Sequence, residues 1–365
     1  MNVATTKSSS SEFELFDTLT TNDHEQIVIC QDKSTGLRAI IAIHNTVLGP
    51  GLGGTRMWMY NNEAEAIRDA LRLSRGMTYK ASISGLNLGG AKAVIIGDPK
   101  TQKTEALMRK FGRFVENLRG KYITAEDVGT TTKDMEYVAM ETDHVVGLPE
   151  ILGGGGDPSP VTAYGVYMGM KASAKKVYGS DSLAGKKVTV QGVGKVGFHL
   201  VEYLVKEGAI VYISDINEEN LKLTAALGAT VITSNEVYSK EVDIFAPCAL
   251  GAILNSDTIP QLKCAIVAGA ANNQLDDDTL HGNMILEKGI AYAPDFLINA
   301  GGLINVYSEY TGYIRERAMA QAENIYNVTL DIYAKSEQDS INTQLAAIKL
   351  AEKRIQDVML LKSTY

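Results

Sequence analysis

The chain has 365 residues, 45% hydrophobic and 21% charged, which is globular composition with apolar mass for two cores. A formal net charge of -8 argues against a nucleic-acid partner, and three scattered cysteines, Cys30, Cys248 and Cys264, argue against a disulfide framework or a CxxC zinc site. The polar start, Met1 to Ser11, lacks the apolar segment of a secretory signal and is expected to fray, and no apolar run reaches the length of a membrane span. The expected address is the cytoplasm, with neither nucleic acid, membrane nor metal as a partner.

In chain order, 26–30 (QIVIC) and 37–43 (LRAIIAI) read as successive strands. Residues 62–77 carry Ala66, Ile67, Ala70 and Leu71 at helical spacing, and 104–119 repeat the pattern with Leu107, Phe111, Phe114, Val115 and Leu118. Between them lies a Gly-rich, strand-like stretch, 85–98 (GLNLGGAKAVIIGD). Four glycines and two prolines in 151–160 (ILGGGGDPSP) can continue neither a helix nor a strand, so the hinge is expected there. Beyond it, short strands at 187–191, 210–214, 230–233, 242–246, 265–268 and 290–293, most separated by helices or loops, predict a parallel sheet with crossover helices. Residues 343–361 form a charged amphipathic helix. The fold class expected is α/β with two domains separated by a cleft: an N-terminal α/β substrate and oligomerisation domain, 1–148, and a Rossmann-type NAD-binding domain, 149–342. The helix of 343–365 is expected to pack back on the first domain.

The cofactor signal is the GxGxxG of Gly192, Gly194 and Gly197. A lone GxGxxG is weak, but this one follows a strand, opens a helix and meets a second strand that ends in Asp215. Gly192 permits the turn, Gly194 leaves room for a pyrophosphate, Gly197 lets helix and sheet pack closely, and the helix N-terminus favours phosphate. Lys195 and Val196 fall inside the same turn. Asp215 can accept from both ribose hydroxyls and would repel a 2′-phosphate, and no Arg follows it, so NAD is expected over NADP.

In the first domain, Lys80, Lys92 and Asp127 stand amid small residues. A lysine that is buried or beside another cation has a lowered pKa and becomes a usable base. Residue physics alone leaves open that all three are solvated surface charges.

Long ordered stretches then resemble the Glu/Leu/Phe/Val amino-acid dehydrogenase family: LGPGLGGTRMW (48–58), ALRLSRGMTYK (70–80), GLNLGGAKAVIIGDP (85–99), YITAEDVGTT (122–131), DPSPVTAYGVYMGMKA (157–172), DIFAPCALGAILN (243–255) and YAPDFLINAGGLINV (292–306). The resemblance covers nearly the whole chain. It implies NAD-dependent, reversible oxidative deamination of leucine or a close branched-chain relative to a 2-oxo acid and ammonia, by a homo-oligomer of which an octamer is one form. Residue by residue, it implies that Lys80 binds the substrate carboxylate, Lys92 activates water and Asp127 shuttles protons. Gly53 and Gly54 would approach the substrate, and Asn299 would hold the substrate or the nicotinamide end. Thr162 would bond the carboxamide, and Asn273 would lie at the cofactor crevice. Leu52, Ala125, Leu303 and Val306 would line the side-chain pocket. Two departures stand out. Ala91 is expected to add a methyl beside Lys92, and Leu303 stands where valine is expected, which should favour a shorter side chain by a graded amount. The alternatives are a valine- or phenylalanine-specific member and a non-catalytic dinucleotide sensor. A histidine-based 2-hydroxy-acid dehydrogenase lacks suitable surroundings for His144, His199 or His281.

Overall fold

The structure, a computed structural model, describes residues 14–362. The polar start, and with it the expectation of fraying, lies outside the described residues.

The first domain runs α1 (Leu15–Thr21), β1 (Gln26–Asp32), β2 (Leu37–Asn45), β3 (Gly51–Trp58), α2 (Glu63–Ile83), β4 (Gly89–Ile96), α3 (Glu105–Glu116), β5 (Tyr122–Glu126) and α4 (Thr132–Ala139). Its sheet has the order β1-β2-β4-β3-β5. β1 and β4 pair antiparallel to β2, while β3 pairs parallel to both β4 and β5. The sequence reading missed β3 and β5. The glycines of β3 carry little strand propensity, and β5, although Tyr122, Ile123 and Thr124 favour a strand, is only five residues long; pairing on both sides makes β3 a central strand.

Period two sorts the side chains of this sheet onto two faces. Ala91, Ala93 and Ile95 of β4 join the core beneath α3 and α4, whereas Val94 packs towards α2 with Ala66, Ala70 and Leu71. Lys92 falls on the α2 face, so the methyl of Ala91 points to the other side of the sheet. The expectation of a methyl beside the lysine is therefore corrected by the strand pleat. Asn62 caps α2 by accepting from Glu65 N, and the helix runs on to Ile83, six residues past its expected end, because Gly76 interrupts no packing.

The second domain runs α5 (Ser159–Tyr178), β6 (Lys187–Gln191), α6 (Lys195–Lys206), β7 (Ile210–Ser214), α7 (Glu218–Ala225), β8 (Thr230–Val231), β9 (Ile244–Pro247), β10 (Ile266–Val267), α8 (Leu280–Glu287) and β11 (Ala291–Tyr292). The chain continues through α9 (Asp295–Ile298), α10 (Gly301–Tyr310), α11 (Arg315–Glu323) and α12 (Ile325–Asp339), and finishes with α13 (Thr343–Lys362). Its six strands are parallel in the order β11-β10-β9-β6-β7-β8. This is the doubly wound arrangement that the alternation of strands and helices predicts, with β6 central and the strand order reversing beside it. Helix α5 begins inside the stretch read as a break, because Pro160 sits in the first turn, where its missing N–H costs nothing.

Two connections join the domains. In the glycine run, Gly153 and Gly156 take φ of +86° and +67°, in the left-handed region. Glu309 of α10 holds this segment: one carboxylate oxygen accepts from Gly147 N and Leu148 N at 2.9 and 3.2 Å, and the other from Gly155 N at 3.1 Å. Helix α13 returns to α2, where Ser82 Oγ donates to Ala351 O and Arg354 donates to the carbonyls of Ser82 and Leu86. Among the described residues, no helix is long and apolar enough to cross a membrane.

The contact of β4 with α2 fixes the Lys92 face. A Cβ on Gly90 would lie 2.1 Å from Thr78 N and 2.5 Å from Ser74 O, backbone that cannot yield. Gly90→Ala should therefore lose about 2–3 kcal/mol of stability, whereas Gly76→Ala, in a helix interior with nothing within 4 Å, should gain up to about 1 kcal/mol. Urea unfolding midpoints of the two variants check both signs; a Gly90→Ala protein as stable as the parent would refute the close contact.

Candidate active site

The α2 face of the first sheet carries the polar residues of the site. Lys92 is 5% exposed, and its Nζ pairs with Asp127 Oδ2 at 2.8 Å, just beyond the end of β5. Burial pushes the Lys92 ammonium below its ordinary value, against the pull of Asp127. Burial alone would raise the Asp127 carboxyl, but Lys92 and Arg56 outweigh it and hold the group below the usual carboxylate range.

Lys80 approaches from the last turn of α2 and reaches across the cleft. Its Nζ donates to Asn299 Oδ1 at 2.7 Å, and Asn272 Oδ1 lies 3.5 Å away. Asn299 Nδ2 donates in turn to Asn272 Oδ1 at 2.9 Å and to the Ala270 carbonyl at 3.1 Å, which fixes the amide's orientation. Burial pushes Lys80 down to about 8; Asp295 opposes the shift and Lys92 adds to it. Asp295 is 3% exposed, accepts from Gln274 N at 2.9 Å, and is pushed up to about 6 by burial. The two ends of the cleft therefore hold a lysine and an acid, both displaced towards neutrality.

Apolar residues frame these groups. Leu52, Ala125 and Leu303 are 2%, 8% and 6% exposed, and with half-buried Val306 they belong to one apolar cluster that spans both domains. Gly53 and Gly54 lie in β3 behind them. A Cβ on Gly53 would fall 1.7 Å from Ala91 O, and one on Gly54 would fall 2.5 Å from Glu126 O. Close approach by the neighbouring strands thus demands glycine at both positions.

The dinucleotide crevice lies at the strand ends of the second sheet. Gly192 has φ +96°, and a Cβ there would lie 2.6 Å from Ala249 Cβ; a Cβ on Gly197 would lie 2.1 Å from Gly192 O. Around Gly194 a Cβ would meet nothing within 4 Å. This turn leaves space in front of an α6 N-terminus that has no side-chain cap, which suits a pyrophosphate. Asp215 follows β7, its carboxylate accepting from Val193 N at 2.7 Å and Asn217 N at 2.8 Å. Val196 is partly buried against the domain core, and exposed Lys195 lies 3.5 Å from Asp157, at the end of the glycine run. Thr162 donates to Pro158 O at 3.0 Å, beside Gly302.

Lys80, Lys92, Asp127 and Asn299 are thus gathered at one cleft, with Thr162 and the GxGxxG turn on the second domain. Asn273 is exposed, with φ +50°, and lines a cavity of about 820 Å³ that α2 walls and that Asp295 also lines. Its neighbour Asn272 enters the site. Sequence reasoning missed Asn272, Asp295 and Arg56; a charge inside the otherwise apolar and small run of β3 was the available signal for Arg56. His199 pairs with Glu202 on the surface of α6.

A dinucleotide-type parallel sheet facing a lysine–carboxylate cleft on a second domain defines a two-domain amino-acid dehydrogenase. Residues 24–144 match the Glu/Leu/Phe/Val dehydrogenase dimerisation domain, and residues 153–362 match the Glutamate/Leucine/Phenylalanine/Valine dehydrogenase domain; the chain belongs to this family. It is 56% identical to a leucine dehydrogenase of Geobacillus stearothermophilus over 96% of each chain. It is 47% identical to a phenylalanine dehydrogenase of Bacillus thermotolerans over 97% of this chain and 94% of that one. The L-tryptophan dehydrogenase structure from Nostoc punctiforme superposes with a TM-score of 0.86 at 46% identity, over 94% of this chain and 99% of that one.

Asp295 should help to keep Lys80 protonated. Removing its negative charge destabilises the ammonium, so in Asp295→Asn the lysine should titrate below about 8. The pH dependence of Lys80 acylation by a small amine-directed reagent, read by peptide mass spectrometry, checks this; an unmoved midpoint would dissociate the two groups.

Proposed function

We propose that the protein catalyses reversible oxidative deamination of L-leucine and related branched-chain amino acids with NAD, giving a 2-oxo acid and ammonia. The observation that carries this reading is the buried Lys92–Asp127 pair beside Lys80 on the first domain's side of an apolar-walled cleft.

Lys80 holds the amino-acid carboxylate as a charge-assisted partner, the incoming carboxylate taking the place of Asn299 Oδ1 on Nζ. Lys92, its ammonium disfavoured by burial, takes a proton from the water that adds to the imino acid. Asp127, already ionised beside Lys92, accepts and returns protons at the substrate nitrogen as ammonia departs. Leu52, Ala125, Leu303 and Val306 receive the side chain, and their apolar surface excludes water from the reacting carbon. The GxGxxG turn and the α6 N-terminus would hold the pyrophosphate, with Lys195 and Val196 in that turn and Thr162 near the carboxamide. The nicotinamide, when bound, supplies the hydride acceptor. Asp215 supports NAD over NADP, since Ile216, Asn217, Glu218 and Glu219 after it offer no cation for a 2′-phosphate. We place the domain division at 148/149, with α13 belonging to the first domain, the assembly as a homo-oligomer and the location as the cytoplasm.

In a panel of amino acids assayed with NAD and with NADP, leucine with NAD should give the largest kcat/KM, with shorter branched side chains next. Preference for phenylalanine, or equal use of both cofactors, would overturn this assignment.

The two lysines should fail differently. Lys80→Ala should chiefly raise KM for the amino acid, whereas Lys92→Ala should chiefly lower kcat, by about 10²–10⁴-fold for a lost general base, with partial rescue by small exogenous amines. Near-normal kcat in Lys92→Ala, or unchanged amino-acid affinity in Lys80→Ala, would reverse the roles.

A further inference from the structure

The Lys92–Asp127 pair has a third member. Arg56 projects from β3 on the same face of the sheet, and its Nε donates to Asp127 Oδ2 at 3.0 Å, the same oxygen that Lys92 holds at 2.8 Å. The hydrogen bonds among the described residues leave Asp127 Oδ1 without a donor. Arg56 is itself held from behind. Its Nη1 donates to Asp69 Oδ2 at 2.9 Å, and Asp69 also accepts from Tyr60 O–H at 2.8 Å and from Arg72 at 3.0 Å.

This geometry addresses a difficulty in the proposed chemistry. A base must lose its proton, yet when Lys92 becomes neutral, Asp127 loses the ammonium that offsets its burial. A guanidinium does not titrate in this range, so it keeps a counter-charge on the carboxylate in both states of the lysine. The same charge, close to Lys92, disfavours the ammonium form.

We propose that Arg56 is a positioning residue of the reaction: it clamps Asp127 by Oδ2 and supplies the permanent charge that lets Lys92 release its proton while Asp127 stays ionised. This rests on the roles given to Lys92 and Asp127 above. The charged and titratable groups around the pair come from every packed element: Arg56 from β3, Asp69, Arg72 and Lys80 from α2, Tyr60 from the turn before it, Tyr122 from β5, and Asp295 from across the cleft. Of these, Arg56 alone bonds directly to the Asp127 carboxylate beside Lys92.

The test is the pH profile of kcat at saturating amino acid, which removes titration of the free substrate, for the full-length wild type and the Arg56→Met, Arg56→Lys and Lys92→Ala variants. Folding is checked by circular dichroism and dinucleotide binding. Arg56→Met should move the ascending limb to higher pH by about 1 unit, and Arg56→Lys, which keeps the charge, should restore most of that shift. If Arg56→Met does not fold, Asp69→Asn, which removes the carboxylate that offsets the guanidinium charge, should move the limb in the opposite direction, to lower pH, by less, and an unmoved limb there would overturn the proposal. A uniform loss of kcat with the limb unmoved would make Arg56 a structural tie between β3 and α2 and overturn the proposal, leaving the base assignment standing if Lys92→Ala is inactive. A Lys92→Ala enzyme with normal kcat would remove the base assignment and this proposal together.

Discussion

One carboxylate oxygen shared by two cations organises the cleft. Asp127 Oδ2 takes both Lys92 and Arg56, and burying three charges together is tolerable only where each is bonded. The surrounding architecture serves that condition. Parallel pairing of β3 with β4 and β5 brings Arg56, Lys92 and the residue after β5 to one face of one sheet. Glycines at 53, 54 and 90 let the strands and α2 close to distances that a Cβ would forbid. The helix then presents Asp69 to anchor Arg56 from one turn and Lys80 to the cleft from its last. The local chemistry is therefore a consequence of strand order and backbone closeness, and an added methyl group at any of these glycines would force the closely packed backbones apart.

Much of this was legible in the sequence, for identifiable reasons. The strands of the second domain were found almost at their true bounds because buried parallel strands are short apolar runs set between turn signals. The GxGxxG assignment gains from the distinct surroundings of its three glycines, two crowded and one open. Lys80, Lys92 and Asp127 were visible as charges amid small residues, but their roles needed the family resemblance. What stayed hidden was whatever depends on the pleat or on the approach of the other domain. With β3 unrecognised, nothing told that Arg56 shares a face with Lys92 or that the methyl of Ala91 points away. Asn272 and Asp295 meet Lys80 only once the chain has crossed the hinge, some two hundred residues on. Asn272 turns to Lys80 and Asn299 beside a neighbour of positive φ, an arrangement that no periodicity reveals.

The interdomain contacts centre on one lysine and one glutamate. Lys80 belongs to the first domain, yet its bonding partners, Asn299 and Asn272, belong to the second. In the structure described here, the lysine thus spends its charge on a bridge across the cleft. A substrate carboxylate that takes this ammonium must loosen that bridge, and it offers the second domain's amides a new partner in exchange. Glu309 ties the glycine run from the second domain: one oxygen holds the chain ahead of the run at Gly147 and Leu148, and the other holds Gly155 within it. A carboxylate that displaced the Lys80 bridge would thus free the two domains to move about the glycine run. The acid–base pair needs no such movement, because Lys92, Asp127 and Arg56 all lie within the first domain. The contrast is thus between a set of charges held within one domain and a single cation that bridges the two.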